Sequence, residues 1–130
     1  MTLRCVIVDD SPAVLQAARE LLGGEGIAVA GVATTSQEAL RLVAELHPDV
    51  VLVDINLGRE SGLELTRRLQ AVDDAGSPCI LISTRSEADY AELIADSPAI
   101  GFLAKADLSA EAIQRLLAGA RDSSIEPRET

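Results

Sequence analysis

A chain of 130 residues, 48% of them hydrophobic and 25% charged, has room for one globular domain with one core. The formal net charge of −10 and the presence of only two aromatic residues, Tyr90 and Phe102, argue against direct binding of nucleic acid, which needs clustered Lys and Arg or stacking rings. The sequence shows neither an apolar run of membrane-spanning length nor a signal-peptide pattern, so we expect a cytoplasmic protein without membrane contact.

Five apolar stretches of strand length alternate with five amphipathic segments of helical period. The stretches are residues 4–8, 27–33, 49–54, 79–83 and 99–104. They are rich in Val and Ile and nearly continuous, as is typical of strands covered on both faces. This alternation predicts an α/β fold with a doubly wound, five-stranded parallel sheet and five helices.

Each helical segment has a serine at or just before its start, and all of them but the second can cap the backbone N–H groups of the first turn. These serines are Ser11, Ser36, Ser61, Ser86 and Ser109; Glu64 and Asp89 complete capping boxes with the third and fourth. The stripes expected to face the sheet in the first, second and fifth helices comprise Val14, Leu15, Ala18, Leu21 and Leu22; Ala39, Leu40, Val43 and Leu46; and Ala112, Ile113, Leu116 and Leu117.

The cysteines and the single histidine give no indication of a catalytic or metal-binding role. Cys5 and Cys79 open two apolar stretches without a CxxC pattern, so we interpret them as buried structural thiols. His47 is expected in a solvent-facing loop. Residues 1–120 are predicted to form the domain, and residues 121–130 a polar tail or the start of a linker.

Polar side chains follow the strands of the predicted sheet at their carboxyl ends. Asp9 and Asp10 end the first strand and Asp54 the third, whereas Ser83 and Lys105 end the fourth and fifth. Ligands of doubly wound sheets bind at this edge. Three converging carboxylates would raise one another's pKa unless a cation neutralised them, and Mg²⁺ prefers such oxygen ligands. The sequence therefore predicts a magnesium site with an adjacent lysine.

The third carboxylate is then suited to covalent chemistry. An aspartate can accept a phosphoryl group when a metal, an ammonium and a hydroxyl neutralise the phosphoryl oxygens. Asp54, Mg²⁺, Lys105 and Ser83 supply these parts, so the sequence predicts an aspartyl phosphate at Asp54.

These residues resemble the receiver domains of two-component response regulators, of the chemotaxis-regulator type, from about Leu3 to Leu117. The resemblance rests on "VDDSP", "VLVDINL", "LIST" and "GFLAKADL", which stand in the family's order and at its intervals. It implies a flavodoxin-like sheet of strand order 2-1-3-4-5. It also implies a signalling domain that phosphorylates and dephosphorylates itself, rather than a metabolic enzyme, with a histidine kinase or histidine phosphotransfer protein as the phosphoryl donor.

The resemblance also implies a role for each site residue. Asp54 is the phosphoacceptor and Lys105 the cation that contacts the phosphoryl group. Asp10 binds Mg²⁺ directly, Asp9 acts largely through water, and the backbone carbonyl of Asn56 completes the protein ligands.

The resemblance further implies a conformational switch and residues that control the lifetime of the aspartyl phosphate. Ser83 is the switch hydroxyl and Phe102 the switch aromatic, which we expect to move inward from a more exposed rotamer. Asn56 and Arg85 flank the path of the hydrolytic water, so both are expected to influence the rate of dephosphorylation. The expected output face consists of the fourth helix, the fifth strand and the fifth helix. Tyr90, Leu93 and Ile94 lie near it, and we expect Leu93 and Ile94 to be core residues.

The readout of this switch is expected to be a protein contact. The partner is a separate protein or an output domain outside this chain, with a phosphorylation-dependent homodimer as the alternative. The net charge of −10 disfavours close self-association unless opposite charges interleave.

Three other interpretations compete with this one. A degenerate receiver would be a binding module independent of phosphorylation, but every phosphorylation residue is retained. A haloacid-dehalogenase-like phosphatase would need a second carboxylate where Asn56 stands, and a flavodoxin-like electron carrier would need a phosphate cradle where "DDSPA" stands. One departure from the receiver pattern is Ala106, where the family commonly has a proline, often with a cis bond; a cis bond before alanine would cost about 2.5–4 kcal/mol.

Overall fold

The computed structural model describes residues 2–72, 77–85 and 87–125. Within them lie five strands, which we number β1 (Arg4–Val8), β2 (Ala28–Ala33), β3 (Val50–Asp54), β4 (Cys79–Ser83) and β5 (Gly101–Ala104). The helices are α1 (Pro12–Gly24), α2 (Ser36–Leu46), α3 (Gly62–Val72), α4 (Ala91–Ala95) and α5 (Ala110–Ile125). A short antiparallel hairpin, Asn56–Leu57 with Glu60–Ser61, precedes α3, and two 3₁₀ turns, Glu87–Tyr90 and Lys105–Asp107, precede α4 and α5.

The five strands form one parallel sheet of order β2-β1-β3-β4-β5, which confirms the predicted fold class and strand order. The order reverses between β1 and β3, which are hydrogen-bonded neighbours although β2 lies between them in sequence. In a doubly wound sheet this reversal opens a crevice at the carboxyl ends of the strands. The fold thus brings the residues after β1, β3 and β5 to one edge.

Successive residues of the strands point to opposite faces and build two aliphatic cores. One core joins the alternating valines of β1 and β3 to α2 and α3 and also contains Phe102. The other joins Cys5, Ile7 and Leu52 to α1 and α5. Strands buried on both faces explain the continuous apolar runs of the sequence.

Serine caps begin three of the five helices as expected. The hydroxyls of Ser11, Ser61 and Ser109 accept hydrogen bonds from the N–H groups of Val14, Glu64 and Ala112, at 3.3, 3.2 and 3.0 Å. α2 begins at Ser36, as predicted, and its N-cap is Thr35, whose Oγ1 accepts from Glu38 N–H at 3.2 Å. The N–H group of Ser36 instead donates to Glu60 Oε1 of the hairpin at 2.8 Å. The proposed cap Ser86 lies outside the described residues.

Two leucines predicted to be inward are exposed. Leu21 is 43% exposed because, at 100° per residue, it lies about 90° around α1 from the buried line of Leu15, Ala18 and Leu22. The assignment of Leu93 to the core is also wrong, since this α4 residue is 48% exposed, whereas Ile94 packs against the core.

The last helix extends beyond residue 120. α5 continues to Ile125, past the boundary at residue 120 drawn from composition, and residues 126–130 lie outside the described part of the chain. No helix among the described residues is long and apolar enough to span a membrane.

Both cysteines are buried, consistent with structural thiols. Burial raises the pKa of the Cys5 thiol to about 12, so the reactive thiolate is nearly absent at neutral pH. We expect a thiol reagent at about pH 8 to label neither cysteine in the native protein and both after unfolding in urea. Native labelling as fast as labelling in urea would contradict the buried position of these residues.

Candidate functional site

Three carboxylates converge at the carboxyl edge of the sheet. One oxygen from each of Asp9, Asp10 and Asp54 lies within 4.8 Å of the other two. The register explains this: Val8 and Val53 are partners on adjacent parallel strands, so the residues that follow them leave the sheet side by side. Asp9 and Asp54 are buried, whereas Asp10 is exposed.

A single lysine reaches this cluster from the end of β5. Lys105 Nζ lies 2.7 Å from Asp9 Oδ2 and 3.1 Å from Asp54 Oδ2, and it donates a hydrogen bond to the latter. No peptide bond among the described residues is cis, so the bond before Ala106 is trans. The lysine reaches both carboxylates with this bond trans.

The electrostatics of the cluster are set by burial and by this lysine. Burial raises the pKa of Asp54, assisted by the negative charge of Asp9; the backbone N–H of Asn56 and the ammonium of Lys105 oppose the rise. Burial alone would lower the pKa of Lys105, but the contacts with Asp9 and Asp54 outweigh it and raise the pKa. The lysine is therefore charged at neutral pH.

The charge left in the cluster fits a divalent cation. Three carboxylates against one ammonium leave a formal charge of −2. Asp9 Oδ1 accepts the Ser11 N–H at 2.9 Å, but the buried Oδ2 has no hydrogen-bond partner among the described residues beyond its ionic contact with the lysine. Asp10 forms no ion pair with any residue that the structure describes. An acidic, oxygen-only donor set with one exposed member matches the preference of Mg²⁺, which keeps several waters.

Two glycines, one in the hairpin after β3 and one at the first residue of α3, allow the backbone to approach this site. Gly58 has a φ of +62° in the turn of the hairpin, and a Cβ atom there would lie 3.2 Å from Asp10 Oδ2. Gly62 donates its N–H to Ile55 O at 2.8 Å, and its Cβ would meet the carbonyl group of Asp54. Neither role was predicted from the sequence; the available signal for Gly62 was a glycine at the first position of the helix that follows a strand-end carboxylate.

Ser83 lies beside the acidic cluster, at the end of β4. It follows Ile82, the register partner of Asp54, and itself pairs with Ala104, the residue before Lys105. Ser83 is buried, and its Oγ accepts the N–H of Arg85 at 3.0 Å. The serine is thus at the same edge of the sheet as the carboxylates, with the exposed Arg85 two residues beyond it.

Phe102 corrects one expectation about the switch. We expected this side chain to start from a more exposed rotamer, but it is only 9% exposed and belongs to the core that contains Val53 and Leu81. A phenylalanine has no hydroxyl whose hydration would favour an outward rotamer, so burial prevails.

Asn56 connects the site to the start of α4, a contact that was not predicted from the sequence. Its backbone N–H donates to Asp54 Oδ1 at 3.2 Å, and its side-chain Nδ2 donates to Tyr90 Oη at 3.1 Å. The two residues are far apart in the chain, and neither forms part of a motif that predicts the pairing.

Comparison with known sequences identifies relatives of this chain. Residues 5–117 match the family described as response regulator receiver domain. The DNA-binding response regulator MtrA of Mycolicibacterium smegmatis is 33% identical over 129 residues, covering 99% of this chain and 55% of that protein. A protein-glutamate methylesterase/protein-glutamine glutaminase of Syntrophus aciditrophicus is 38% identical over 82 residues, covering 62% of this chain and 23% of that protein. The chain thus spans about half the length of the first relative and about a quarter of the length of the second.

Solved structures agree with this assignment. A two-component response regulator of the LuxR family from Aurantimonas sp. SI85-9A1 superposes with a TM-score of 0.81 at 31% identity, covering 92% of this chain and 87% of that one. A CheY-like receiver domain protein from Methanospirillum hungatei JF-1, at 24% identity and a TM-score of 0.78, covers 95% and 99% and shares the fold. Sequence match and fold together show that the chain belongs to the family of response regulator receiver domains of two-component signalling.

Proposed function

We propose that Asp54 accepts a phosphoryl group from a phosphohistidine on a histidine kinase or histidine phosphotransfer protein, in the cytoplasm. The observation that carries this proposal is the position of Lys105 Nζ, 2.7 Å from Asp9 and 3.1 Å from Asp54, within a cluster that also contains Asp10. A buried carboxylate with an adjacent ammonium and surplus acidic ligands has the parts that phosphoryl transfer needs.

The transfer exchanges one bond to phosphorus for another. A carboxylate oxygen of Asp54 attacks the phosphorus as the P–N bond to the donor histidine breaks, and the bonding electron pair returns to the imidazole, which takes up a proton. Lys105 then pairs with a phosphoryl oxygen in place of its present contact with Asp54 Oδ2. The Ser83 hydroxyl, now an acceptor for the Arg85 N–H, also donates to the phosphoryl group.

A magnesium ion fits this proposal. We assign its ligands to Asp10 directly, to Asp9 largely through water, to Asp54, and to the backbone carbonyl of Asn56. When bound, Mg²⁺ supplies positive charge that neutralises the oxygens of the transferring phosphoryl group. Lys105 alone leaves the cluster with a surplus of two negative charges, which is why we assign a divalent ion.

The signal leaves the domain through the face formed by α4, β5 and α5. Leu93 is an exposed residue of α4, where an apolar side chain can contact a partner. Because Phe102 is already buried, we assign the surface change to movement of Ser83 and of α4 rather than to a large swing of the ring. The partner is a separate protein or an output domain beyond this chain; the homodimer remains the second alternative.

The phosphatase alternative lacks support at one position. A haloacid-dehalogenase-like enzyme needs a carboxylate two residues after its nucleophile, but this position is Asn56, whose amide is bound to Tyr90. The degenerate-receiver alternative would predict loss of at least one site residue, whereas Asp9, Asp54 and Lys105 are in contact.

Incubation with acetyl phosphate and Mg²⁺ tests the proposed function. We expect the intact mass of the chain to increase by one phosphoryl group, because acetyl phosphate donates to a suitably activated aspartate with release of acetate. A chelator added before the acetyl phosphate should prevent the increase. A mass that does not change in the presence of Mg²⁺ would exclude the proposed transfer.

Arg85 is expected to change the lifetime of the phosphorylated state. Its long cationic side chain is exposed two residues after the switch serine, where it can pair with phosphoryl oxygens or cover the path of the attacking water. We expect Arg85→Ala to alter the half-life of the labelled protein, measured by mass after removal of acetyl phosphate. Arg41→Ala, at an exposed arginine of α2, is the control, and equal half-lives for all three proteins would remove Arg85 from this role.

A further inference from the structure

Tyr90 lies between the loop after the proposed phosphoacceptor and α4, part of the proposed output face. Its hydroxyl accepts the hydrogen bond from Asn56 Nδ2 at 3.1 Å, and Asn56 in turn donates its backbone N–H to Asp54. The backbone of Tyr90 ends the 3₁₀ turn and is the N-cap of α4, without a side-chain capping bond. One residue therefore connects the loop beside the phosphoacceptor to the first turn of α4.

The other aromatic residue cannot make this connection. Phe102 is buried and lacks a hydroxyl, and Tyr90 is the one remaining aromatic residue of the chain. The half-buried ring of Tyr90 packs against the core that contains Phe102, while its hydroxyl reaches the exposed Asn56. The 3₁₀ turn that carries Tyr90 lies against β5, the strand that leads to Lys105.

We propose that Tyr90 is a positioning residue that holds the Asn56 amide, and with it α4, in the unphosphorylated arrangement, and that phosphorylation of Asp54 releases this bond. The inference rests on the proposed function. The bond from the amide to the tyrosine hydroxyl joins two neutral groups, whereas a phosphoryl group two residues away offers charged oxygens. Charge-assisted hydrogen bonds are about twice as strong as neutral ones, so the amide transfers from Tyr90 to the phosphoryl group. Tyr90, the N-cap of α4, is then no longer hydrogen-bonded to Asn56.

Thermodynamic linkage determines whether the bond between Asn56 and Tyr90 favours or opposes phosphorylation. A bond present only in the unphosphorylated arrangement opposes phosphorylation, so its removal favours the phosphorylated arrangement. We expect Tyr90→Phe, which keeps the ring and removes the hydroxyl, to tighten the binding of beryllofluoride, an aspartyl-phosphate mimic, in the presence of Mg²⁺. The gain expected for one exposed, neutral hydrogen bond is about two- to tenfold.

The experiment is a cycle of Tyr90→Phe, Asn56→Ala and the double variant, each titrated with beryllofluoride and followed by amide NMR. We expect Tyr90→Phe to tighten binding in the wild-type background and to have no effect in the Asn56→Ala background. In the free protein, Tyr90→Phe should also shift the amide resonances of α4 towards their positions in the beryllofluoride complex. A purely structural tyrosine would lower stability without this dependence on Asn56.

Three results would overturn the inference. Equal affinities of Tyr90→Phe and wild type, or weaker binding by Tyr90→Phe, would show that the bond does not favour the unphosphorylated arrangement. An equal gain in the Asn56→Ala background would show that the effect does not pass through Asn56. If wild type itself takes up neither beryllofluoride nor a phosphoryl group from acetyl phosphate, the proposed function fails and the inference fails with it; labelling of wild type with an unchanged Tyr90→Phe refutes the inference alone.

Discussion

Alanine in place of Gly62 is expected to lower the free energy of unfolding by about 3 kcal/mol and to slow phosphorylation of Asp54 sharply. The added Cβ would lie 2.8 Å from the carbonyl carbon of Asp54 and 3.0 Å from Ile55 Cα, both of which are backbone atoms that cannot rotate away. The N–H of Gly62 also donates to Ile55 O, so relief of the clash breaks this bond or displaces Asp54. Urea unfolding and the rate of labelling by acetyl phosphate measure the two effects.

Gly119→Ala provides the matched control for this substitution. Gly119 is an exposed residue of α5, and a Cβ atom added there would have no neighbouring atom within 4 Å, so alanine removes only the conformational cost of a glycine in a helix. We expect a stabilisation of about 0.5–1 kcal/mol and an unchanged labelling rate. A Gly62→Ala protein as stable as Gly119→Ala would show that the loop does not approach Asp54 as closely as described.

Magnesium is expected to stabilise the folded domain, because only the folded chain brings the carboxylates of Asp9, Asp10 and Asp54 together into one cluster. A ligand that binds only the folded state at about a hundred times its Kd adds about 2.7 kcal/mol to the free energy of unfolding. Asp10→Asn should remove most of this response, since Asp10 is the exposed carboxylate without an ion pair among the described residues. Urea unfolding with and without Mg²⁺ measures the difference.

The control for Asp10→Asn removes an equal charge elsewhere. Asp96 is exposed at the end of α4, so Asp96→Asn should keep the full response to Mg²⁺. If the unfolding curve of wild type is the same with millimolar Mg²⁺ and with a chelator, the acidic cluster is not a metal site. If Asp10→Asn responds as strongly as wild type, the ligand assignment to Asp10 is wrong.

The strands, and the positions of the polar residues at their ends, could be predicted from sequence patterns. Strands buried on both faces leave continuous apolar runs, and β1 and β4 begin and end at the predicted residues. Parallel strands bring their carboxyl ends to one edge, so the position of Asp54 and Lys105 after their strands was enough to predict that they meet. The alternation of elements predicted a parallel sheet, and the resemblance to receiver domains supplied its strand order.

The missed features depend on contacts between distant segments. The pairing of Asn56 with Tyr90 requires the loop after β3 and the turn before α4 to approach each other, which no local periodicity encodes. The burial of Phe102 and the exposure of Leu93 likewise depend on how α4 lies on the sheet, since a five-residue helix is too short to show a reliable stripe. The glycine requirement at position 62 follows from the path of the β3–α3 loop.

The most direct test of the central claim locates the phosphoryl group. After incubation with acetyl phosphate and Mg²⁺, reduction with borohydride converts an aspartyl phosphate to homoserine, which peptide mass spectrometry assigns to a position. We predict homoserine at position 54 in wild type and at no position in Asp54→Asn, with Asp96→Asn labelled as wild type. Homoserine at any other aspartate, or labelling of Asp54→Asn equal to that of wild type, would contradict the assignment of Asp54 as the phosphoacceptor.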